Sequence, residues 1–330
     1  MHHENALKTT LNQRALNLIE TTLQDPSCSV ITQQLTSGAT VLDFAIERSG
    51  SISDGIALAK ICMADLAEVA ITPADASEIP LPRVNVATDF PVLACMASQY
   101  AGWPLAEGEF FAMCSGPARS LRGKEEVLKE LDLIHKSDVA VGVLETSTVP
   151  TAEAIVRFAR DCSVSQSQVT LCVARTASLP GTIQVVARSV ETAMHKLHEL
   201  GFDLTAVKSA SGSAPLPPIA DDDLTALGWT NDAILYGCSV NLSVDTHDET
   251  ITSILERIPS SSSGDFGTPF LDIFNSYDRD FYKIDKLLFS PAHVVIENLR
   301  SGNSFVAGSI QNDILEKSFG QEASSAGDTE

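Results

Sequence analysis

The chain has 330 residues, enough for about two domains and for a sizeable buried core. Its composition, 44% hydrophobic and 20% charged, excludes global disorder. Asp and Glu outnumber Lys and Arg 43 to 22, a formal charge of −21, which excludes a general affinity for nucleic acid or an anionic membrane, because both require a basic surface. A small anion could still be held by a local cationic patch.

No apolar run approaches the ~20 residues needed to span a bilayer, and the first ten residues, MHHENALKTT, lack the hydrophobic stretch of a signal peptide. A soluble cytoplasmic protein without a membrane partner is expected. The seven cysteines are odd in number, scattered, and form no C-x-x-C, so they are expected to be small buried thiols rather than disulfides or zinc ligands.

In chain order, residues 5–24 read as a helix, with Leu7, Leu11, Ala15, Ile19 and Leu23 at helical spacing. Residues 29–34 and 40–45 read as a strand pair joined through Thr36, Ser37 and Gly38. Residues 50–55 read as a small-residue loop and 56–66 as a second, apolar helix. Residues 80–125 are less regular and carry two Gly-containing loops, 98–104 and 114–121. Such loops present backbone N–H groups without side-chain obstruction and are candidate function carriers.

Residues 137–214 carry the clearest pattern: strand 139–144, helix 151–161, strand 169–174, helix 181–200 closed by Gly201, and a strand from 206. This β-α-β-α-β order predicts a two-layer α/β sandwich over 126–220. It would be inserted into a discontinuous α+β domain made of 1–125 and 221–319, with a ligand cleft between the two domains. The expected class is therefore mixed α/β (α+β). Asp221, Asp222 and Asp223 read as the start of a helix favoured by its dipole. Residues 234–244 and 304–307 read as strands, and the tail 320–330 as disordered.

Nucleotide-binding and serine-hydrolase motifs are absent, and Asp265-Phe266-Gly267 reads as a turn because no other kinase element accompanies it. His195 and His198 are three apart, not the four of a zinc H-E-x-x-H helix, and read as exposed helix residues. Projected at about 100° per residue, Ile183, Val186, Val190, Ala193, Leu197 and Leu200 form one stripe and should cover a sheet. Arg188, Glu191, His195 and His198 form another, facing solvent or a neighbouring domain. On the pattern alone, Arg188 and Glu191 read as a surface pair contributing ~0.2–0.5 kcal/mol, or as a charged couple aimed at a ligand.

Seven stretches in the same order decide between these readings by resemblance. GIALAKICMADL (55–66), ASQYAGW (97–103), FAMCSGPARSL (111–121), TASLPGTIQVVARSVETA (176–193), TNDAILYGCSV (230–240), DFGTPF (265–270) and FYKIDKLLFSPA (281–292) resemble the methenyltetrahydromethanopterin cyclohydrolases. The resemblance runs from about residue 40 to 310. It implies hydrolysis of a cyclic methenyl-pterin cation to 5-formyl-tetrahydromethanopterin, in the one-carbon traffic of methanogenesis or formaldehyde oxidation. It implies two α/β-type domains, a homo-oligomer with a trimer favoured, and no metal or cofactor beyond the pterin substrate itself. The family's catalytic Arg and Glu, in an R-x-x-E-T-A segment, fall on Arg188 and Glu191. One departure is Ser213, where archaeal members often carry an Arg; this points to a bacterial branch with a modified methanopterin or altered recognition of its acidic tail.

The resemblance implies that Glu191 takes a proton from the attacking water, while Arg188 orients it and keeps it ionised by lowering its pKa. Trp103 and Phe289 lie in matching stretches and are candidate flat walls for the pterin, or equally core residues. The loop carrying Ser115, Gly116 and Arg119 offers donors to a phosphate tail, with Lys283 a weaker second cation. Two rival readings stay open at this stage. One is a pterin-binding protein without catalysis, although both members of the pair are present. The other is a cyclohydrolase acting on tetrahydrofolate, although no Rossmann fingerprint is seen.

Overall fold

The computed structural model describes residues 8–74 and 79–320. The expected tail after 320 and the first residues of the expected N-terminal helix, 5–7, lie outside the described residues. The elements in chain order are α1 (Leu11–Thr22), β1 (Ile31–Gln34), β2 (Thr40–Ala45), α2 (Ile52–Cys62), β3 (Glu68–Thr72), β4 (Arg83–Thr88), a π-helical segment Val92–Gln99, β5 (Trp103–Glu107), β6 (Phe110–Ser115), α3 (Ala118–Arg122), α4 (Glu126–Glu130), β7 (Ala140–Glu145), α5 (Ala152–Cys162) and β8 (Val169–Ala174). They continue as α6 (Leu179–Val186), α7 (Ser189–Glu199), β9 (Val207–Pro215), α8 (Asp223–Leu235), β10 (Ser239–Val244), α9 (Asp248–Thr252), α10 (Phe270–Ser276), β11 (His293–Asn298), β12 (Ser304–Gly308) and α11 (Asn312–Ser318).

The strands form two mixed six-stranded sheets, in the orders β1-β2-β8-β7-β6-β5 and β12-β11-β10-β9-β4-β3. The mixed α/β class therefore stands. The β1–β2 hairpin also forms, with Gln34 paired to Thr40, and β7 and β8 pair in parallel across α5. The five-element sandwich is corrected: its third strand, β9, lies in the second sheet between β4 and β10. Residues 126–220 thus close no sheet of their own. Hydrophobic period fixes an element's type but not the sheet it joins.

The burial of each strand explains the partition. In β2, β7 and β8, side chains on both faces are buried. Val41, Leu144 and Leu171 pack with Phe158 of α5 on one face, and Leu42, Val143 and Cys172 with Ile19 of α1 and Ile61 of α2 on the other. Strands covered on both faces read as continuous apolar runs. In β9, alternate residues are small and polar, and only the other face is buried, under α7 and α8. The layers are α3/α5, the first sheet, α1/α2, then α6–α8, and the second sheet.

Two local features hold this stack together. α2 begins at Ile52, inside the small-residue loop expected at 50–55 and ahead of the helix expected from 56. Ser51 caps it in a reciprocal box with Asp54, which also accepts from Ser29 N and Oγ at 2.8 and 2.9 Å. Gly55 then lets α2 pass flush against α6, because a Cβ there would lie 2.6 Å from Ile183 Cδ1. Asp222 caps α8 through the N–H groups of Leu224 and Thr225, as the triple-Asp signal indicates. Six of the seven cysteines are buried, Cys28 is partly so, and all are free thiols. Among the described residues no helix is long and apolar enough to cross a membrane.

Candidate active site

The helix expected over 181–200 is broken. α6 ends at Val186 and α7 starts at Ser189, with Ala187 (ψ 0°) and Arg188 (ψ 9°) off the helical ladder between them. A break leaves helix-end carbonyls and N–H groups without helical partners. Here the carbonyl of Ala187 accepts from Gln99 Nε2 at 3.1 Å. Gln99 ends the π-helical segment, a conformation enriched at functional sites. Its backbone carbonyl in turn accepts from Arg188 Nη1 at 2.6 Å, so Gln99 grips the break from two sides.

The Arg188 guanidinium also donates Nη2 to Ser115 Oγ, 3.1 Å away at the end of β6. That hydroxyl is 3.4 Å from the Val143 carbonyl and 3.3 Å from Cys62 Sγ. Arg188 therefore bridges the first sheet and the helix layer over the second. One turn on, Glu191 brings a carboxylate oxygen to 3.9 Å from Arg188 Nη1, both side chains largely buried (11% and 8% exposed).

The electrostatics differ from expectation. Burial pushes the Glu191 carboxyl up from its ordinary value, and the nearby positive charges of Arg188 and Arg119 only partly offset this. The geometry supplies the reason. Arg188 directs its donors at Gln99 and Ser115, and among the described residues no group donates a hydrogen bond to the Glu191 carboxylate. The pair is neither a surface salt bridge nor a closed ion pair. Glu191 is a desolvated carboxylate with free acceptor positions, and its raised pKa makes it a stronger base than the expected lowered one.

Ser115 is thus joined to the pair, and Gly116 lies beside it. The Gly116 N–H, however, donates to the Ser98 carbonyl at 2.8 Å, in a left-handed conformation (φ 91°) suited to glycine. Arg119, expected as a tail-binding cation, directs its donors inward. It is fully buried in α3; its Nε and Nη2 engage Glu125, and Nη1 donates to the carbonyls of Met96 and Ser98 at 3.0 and 3.2 Å. With those donors committed inside the protein, it ties the two Gly-containing loops together and contributes positive charge near Glu191.

Trp103, expected as a pterin wall or a core residue, lies in the core. It is wholly buried, stacked on Phe158 at 4.8 Å, with the Arg122 guanidinium 4.4 Å from its ring centroid. Its aromatic surface is thus occupied within the core under α5. Phe289 packs in an aromatic cluster with Phe270 and Phe281. Lys283 is exposed, with Asp278 and Asp280 at 3.9 and 4.0 Å. No contact joins Phe289 or Lys283 to Arg188 or Glu191 among the described residues. The loop before Phe289 is nonetheless fastened to α7: buried Lys196 donates to Ser262 Oγ at 3.2 Å and to the Leu287 carbonyl, and burial pulls its pKa down to about 8.

Gln99 and Tyr100, in the Gly-containing loop 98–104, and His195, on the helix stripe of Arg188 and Glu191, lie at the site although none was singled out as a site residue. The Tyr100 ring stacks on His195 at 5.1 Å and contacts the Arg119 guanidinium at 4.9 Å. Burial, then the Glu191 charge, push its phenol up to about 12. Ser213, the position of the family departure, accepts from Arg83 Nε at 2.8 Å, so an arginine from the neighbouring strand β4 reaches it. Depressions of about 320 and 330 Å³ lie over Asn85, Ser211 and Asn241 and over Arg14, Asp89 and Phe90; neither is lined by Arg188 or Glu191. Among the described residues no group of three or more His, Cys, Asp or Glu is placed to hold a metal ion.

The Arg–Glu pair at the helix break draws together three of the matching stretches, through Gln99 of 97–103, Ser115 of 111–121 and its own stretch 176–193. A family model described as "Cyclohydrolase (MCH)" matches residues 10–319. The chain belongs to the MCH cyclohydrolase family. It is 49% identical over 289 residues to the methenyltetrahydromethanopterin cyclohydrolase of Rhodopirellula baltica, covering 86% of this chain and 87% of that protein. The enzyme of the same name from Methylobacillus flagellatus is 42% identical over 294 residues, 89% and 90% of the two chains. That from Methanococcoides burtonii is 40% identical over 314 residues, 94% and 98%. The family match covers both sheets and both sides of the Arg188–Glu191 junction.

Proposed function

We propose that this member of the cyclohydrolase family adds water reversibly to methenyltetrahydromethanopterin and opens it to 5-formyl-tetrahydromethanopterin, with Glu191 as the base and Arg188 as the residue that positions it. The observation that carries the reading is a desolvated carboxylate with free acceptor positions, held beside a guanidinium anchored to protein groups. The methenyl carbon lies between two nitrogens and shares their positive charge, so it is already electrophilic. The protein must hold one water in line and accept its proton, which is the work of a positioned base. The negative charge on Glu191 also favours the cationic substrate.

The water oxygen bonds to the methenyl carbon and one water proton passes to Glu191. The C–N bond to the aryl nitrogen then breaks, its electron pair going to that nitrogen with the remaining hydroxyl proton. The products are a neutral formamide and one net proton.

This reading disfavours a pterin-binding protein without catalysis, because such a protein has no use for a buried, hydrogen-bond-free carboxylate. The relatives reported above are named for the methanopterin substrate, which supports it over tetrahydrofolate. Phe289 is the remaining candidate for an apolar wall, because Lys196 fastens its loop to α7; Lys283 is the remaining candidate cation for the substrate's tail. The assay is loss of methenyl-pterin absorbance with each pterin, run with and without EDTA. We expect turnover of the methanopterin form, little with the folate form, and no effect of exhaustive chelation. Loss of activity with EDTA and recovery with zinc would overturn the metal-free mechanism.

We also assign the protein to the cytoplasm, where a reduced pterin would be met, and to a homo-oligomer with a trimer favoured, on the family resemblance. Light scattering at micromolar concentration should give a multiple of the 35.2 kDa chain mass. A mass equal to one chain would count against assembly.

A further inference from the structure

Each turnover leaves one proton on a carboxylate that is only 8% exposed. Before the next water can be activated, that proton must reach bulk solvent. The outer face of α7 carries Glu191, His195 and Glu199 at i, i+4 and i+8, a single row on one helix face. Side-chain exposure rises along it, from 8% to 17% to 31%. His195 Nε2 lies 3.7 Å from Glu199 Oε1. Residues four apart on a helix are surface neighbours, which sets His195 between Glu191 and Glu199 in the row.

We propose that His195, with Glu199 beyond it, is the proton exit of the site, taking the proton from Glu191 across one bridging water and passing it to solvent. The step is a proton transfer only: the O–H bond on Glu191 breaks, an N–H bond forms on one imidazole nitrogen, and the other nitrogen releases its proton toward Glu199 or water. In the reverse direction the same row delivers a proton. The inference rests on Glu191 being the base.

The surroundings of His195 suit a relay. Burial pulls its pKa below the usual histidine value, and the positive fields of His198, Lys286 and Lys196 add to this while Glu199 opposes it. Burial raises Glu191, so the two groups approach each other in proton affinity, as efficient transfer requires. The other facing groups are otherwise engaged. Tyr100 lies flat on the imidazole and orients it. His198 turns to Glu130 at 3.0 Å, and Lys196 to Ser262 and Leu287.

The test compares the wild type with His195→Phe, which keeps a ring against Tyr100 but carries no proton, in single-turnover and steady-state assays. At constant pH and ionic strength in dilute buffer, the variant should complete the first turnover at the wild-type rate. It should then cycle about tenfold more slowly, and added imidazole should restore the steady-state rate. The wild type should be insensitive to buffer concentration. Glu199→Gln, a more exposed change, should show the same signature more weakly and serves if His195→Phe does not fold. Normal cycling of the variants in dilute buffer would overturn the relay. So would an equal defect in the first turnover that imidazole leaves untouched, since that is the mark of a purely structural role. Glu191→Gln run alongside separates the two readings. If it loses the first turnover while the relay variants cycle normally, only the relay falls; if it retains full activity, the base assignment falls.

Discussion

Glu191→Gln is expected to lower kcat by about 10²–10⁴-fold, the range for loss of a general base, with a much smaller change in KM. Gln keeps the volume and can still hold a water, but it neither accepts the proton nor opposes the substrate's positive charge. The environment of Glu191 adds two further expectations. Burial lifts its carboxyl above the ordinary value of 4.5, so the acid limb of the wild-type kcat profile should fall at a pH above 4.5 and should vanish in the Gln variant. The linkage sign also follows. A carboxyl whose folded-state pKa is raised binds more protons folded than unfolded across that window, so stability falls as pH rises through it. At pH 7 the ionised Glu191 therefore weakens the fold, and Glu191→Gln should melt at the same temperature or higher. A structural salt bridge would behave oppositely, losing stability while keeping kcat. A folded Gln variant with near-normal kcat would end the assignment. Single-turnover kinetics with thermal melts at pH 5 and 7.5 makes the measurement.

Much of the fold was legible in the residues, and the misreadings have physical causes. The β1–β2 hairpin, the β7-α5-β8 unit and the Asp222 cap rest on local signals: turn residues, buried apolar runs and a capping side chain. The sheet to which β9 belongs is a non-local choice. A hint was nevertheless present in K-S-A-S-G-S-A, because alternating small polar residues suit a strand with one open face, unlike the continuous apolar runs of β7 and β8. The early start of α2 was written in Ser51-x-x-Asp54, a capping box. The break at Ala187–Arg188 carries no Gly or Pro; it is held by Gln99, nearly ninety residues earlier in the chain, which no local pattern can announce. The sequence names Arg188, Glu191 and Ser115 as candidates, and the fold brings the three together. The electrostatics of the site were not legible, because proximity of Arg188 implied a lowered carboxyl, while the direction is set by burial and by where Arg188 aims its donors. Trp103 and Arg119 share one ambiguity: a large aromatic or a guanidinium in a matching segment serves the core as readily as a ligand, and the sequence does not name the partners Phe158 and Glu125 that they meet in the fold.

Arg188→Ala is the second large effect, and its pH dependence distinguishes positioning from mere support. Removing the guanidinium takes the donors from the Gln99 carbonyl and Ser115 Oγ, and a buried acceptor left without its partner costs about 1–3 kcal/mol. The helix break should then relax and Glu191 lose its place, lowering kcat by about 10–10³-fold, within the scale of a small misplacement of a catalytic group. Arg188 also lowers the Glu191 pKa, so its removal should move the acid limb of the kcat profile to higher pH. The part of the defect that comes from protonation of the base should then shrink as pH is raised. Arg188→Lys restores the charge but not a planar fork able to reach Gln99 and Ser115 together. It should return the acid limb toward the wild-type position while leaving kcat on the plateau low. Because the pair acts as a unit, Glu191→Gln with Arg188→Ala should be far less impaired than the product of the two single losses. The decisive measurement is kcat against pH for the wild type, both Arg188 variants and the double variant, with folding checked by circular dichroism. Multiplicative losses in the double variant, or an acid limb that stays in place without Arg188, would show that the guanidinium does not act through Glu191.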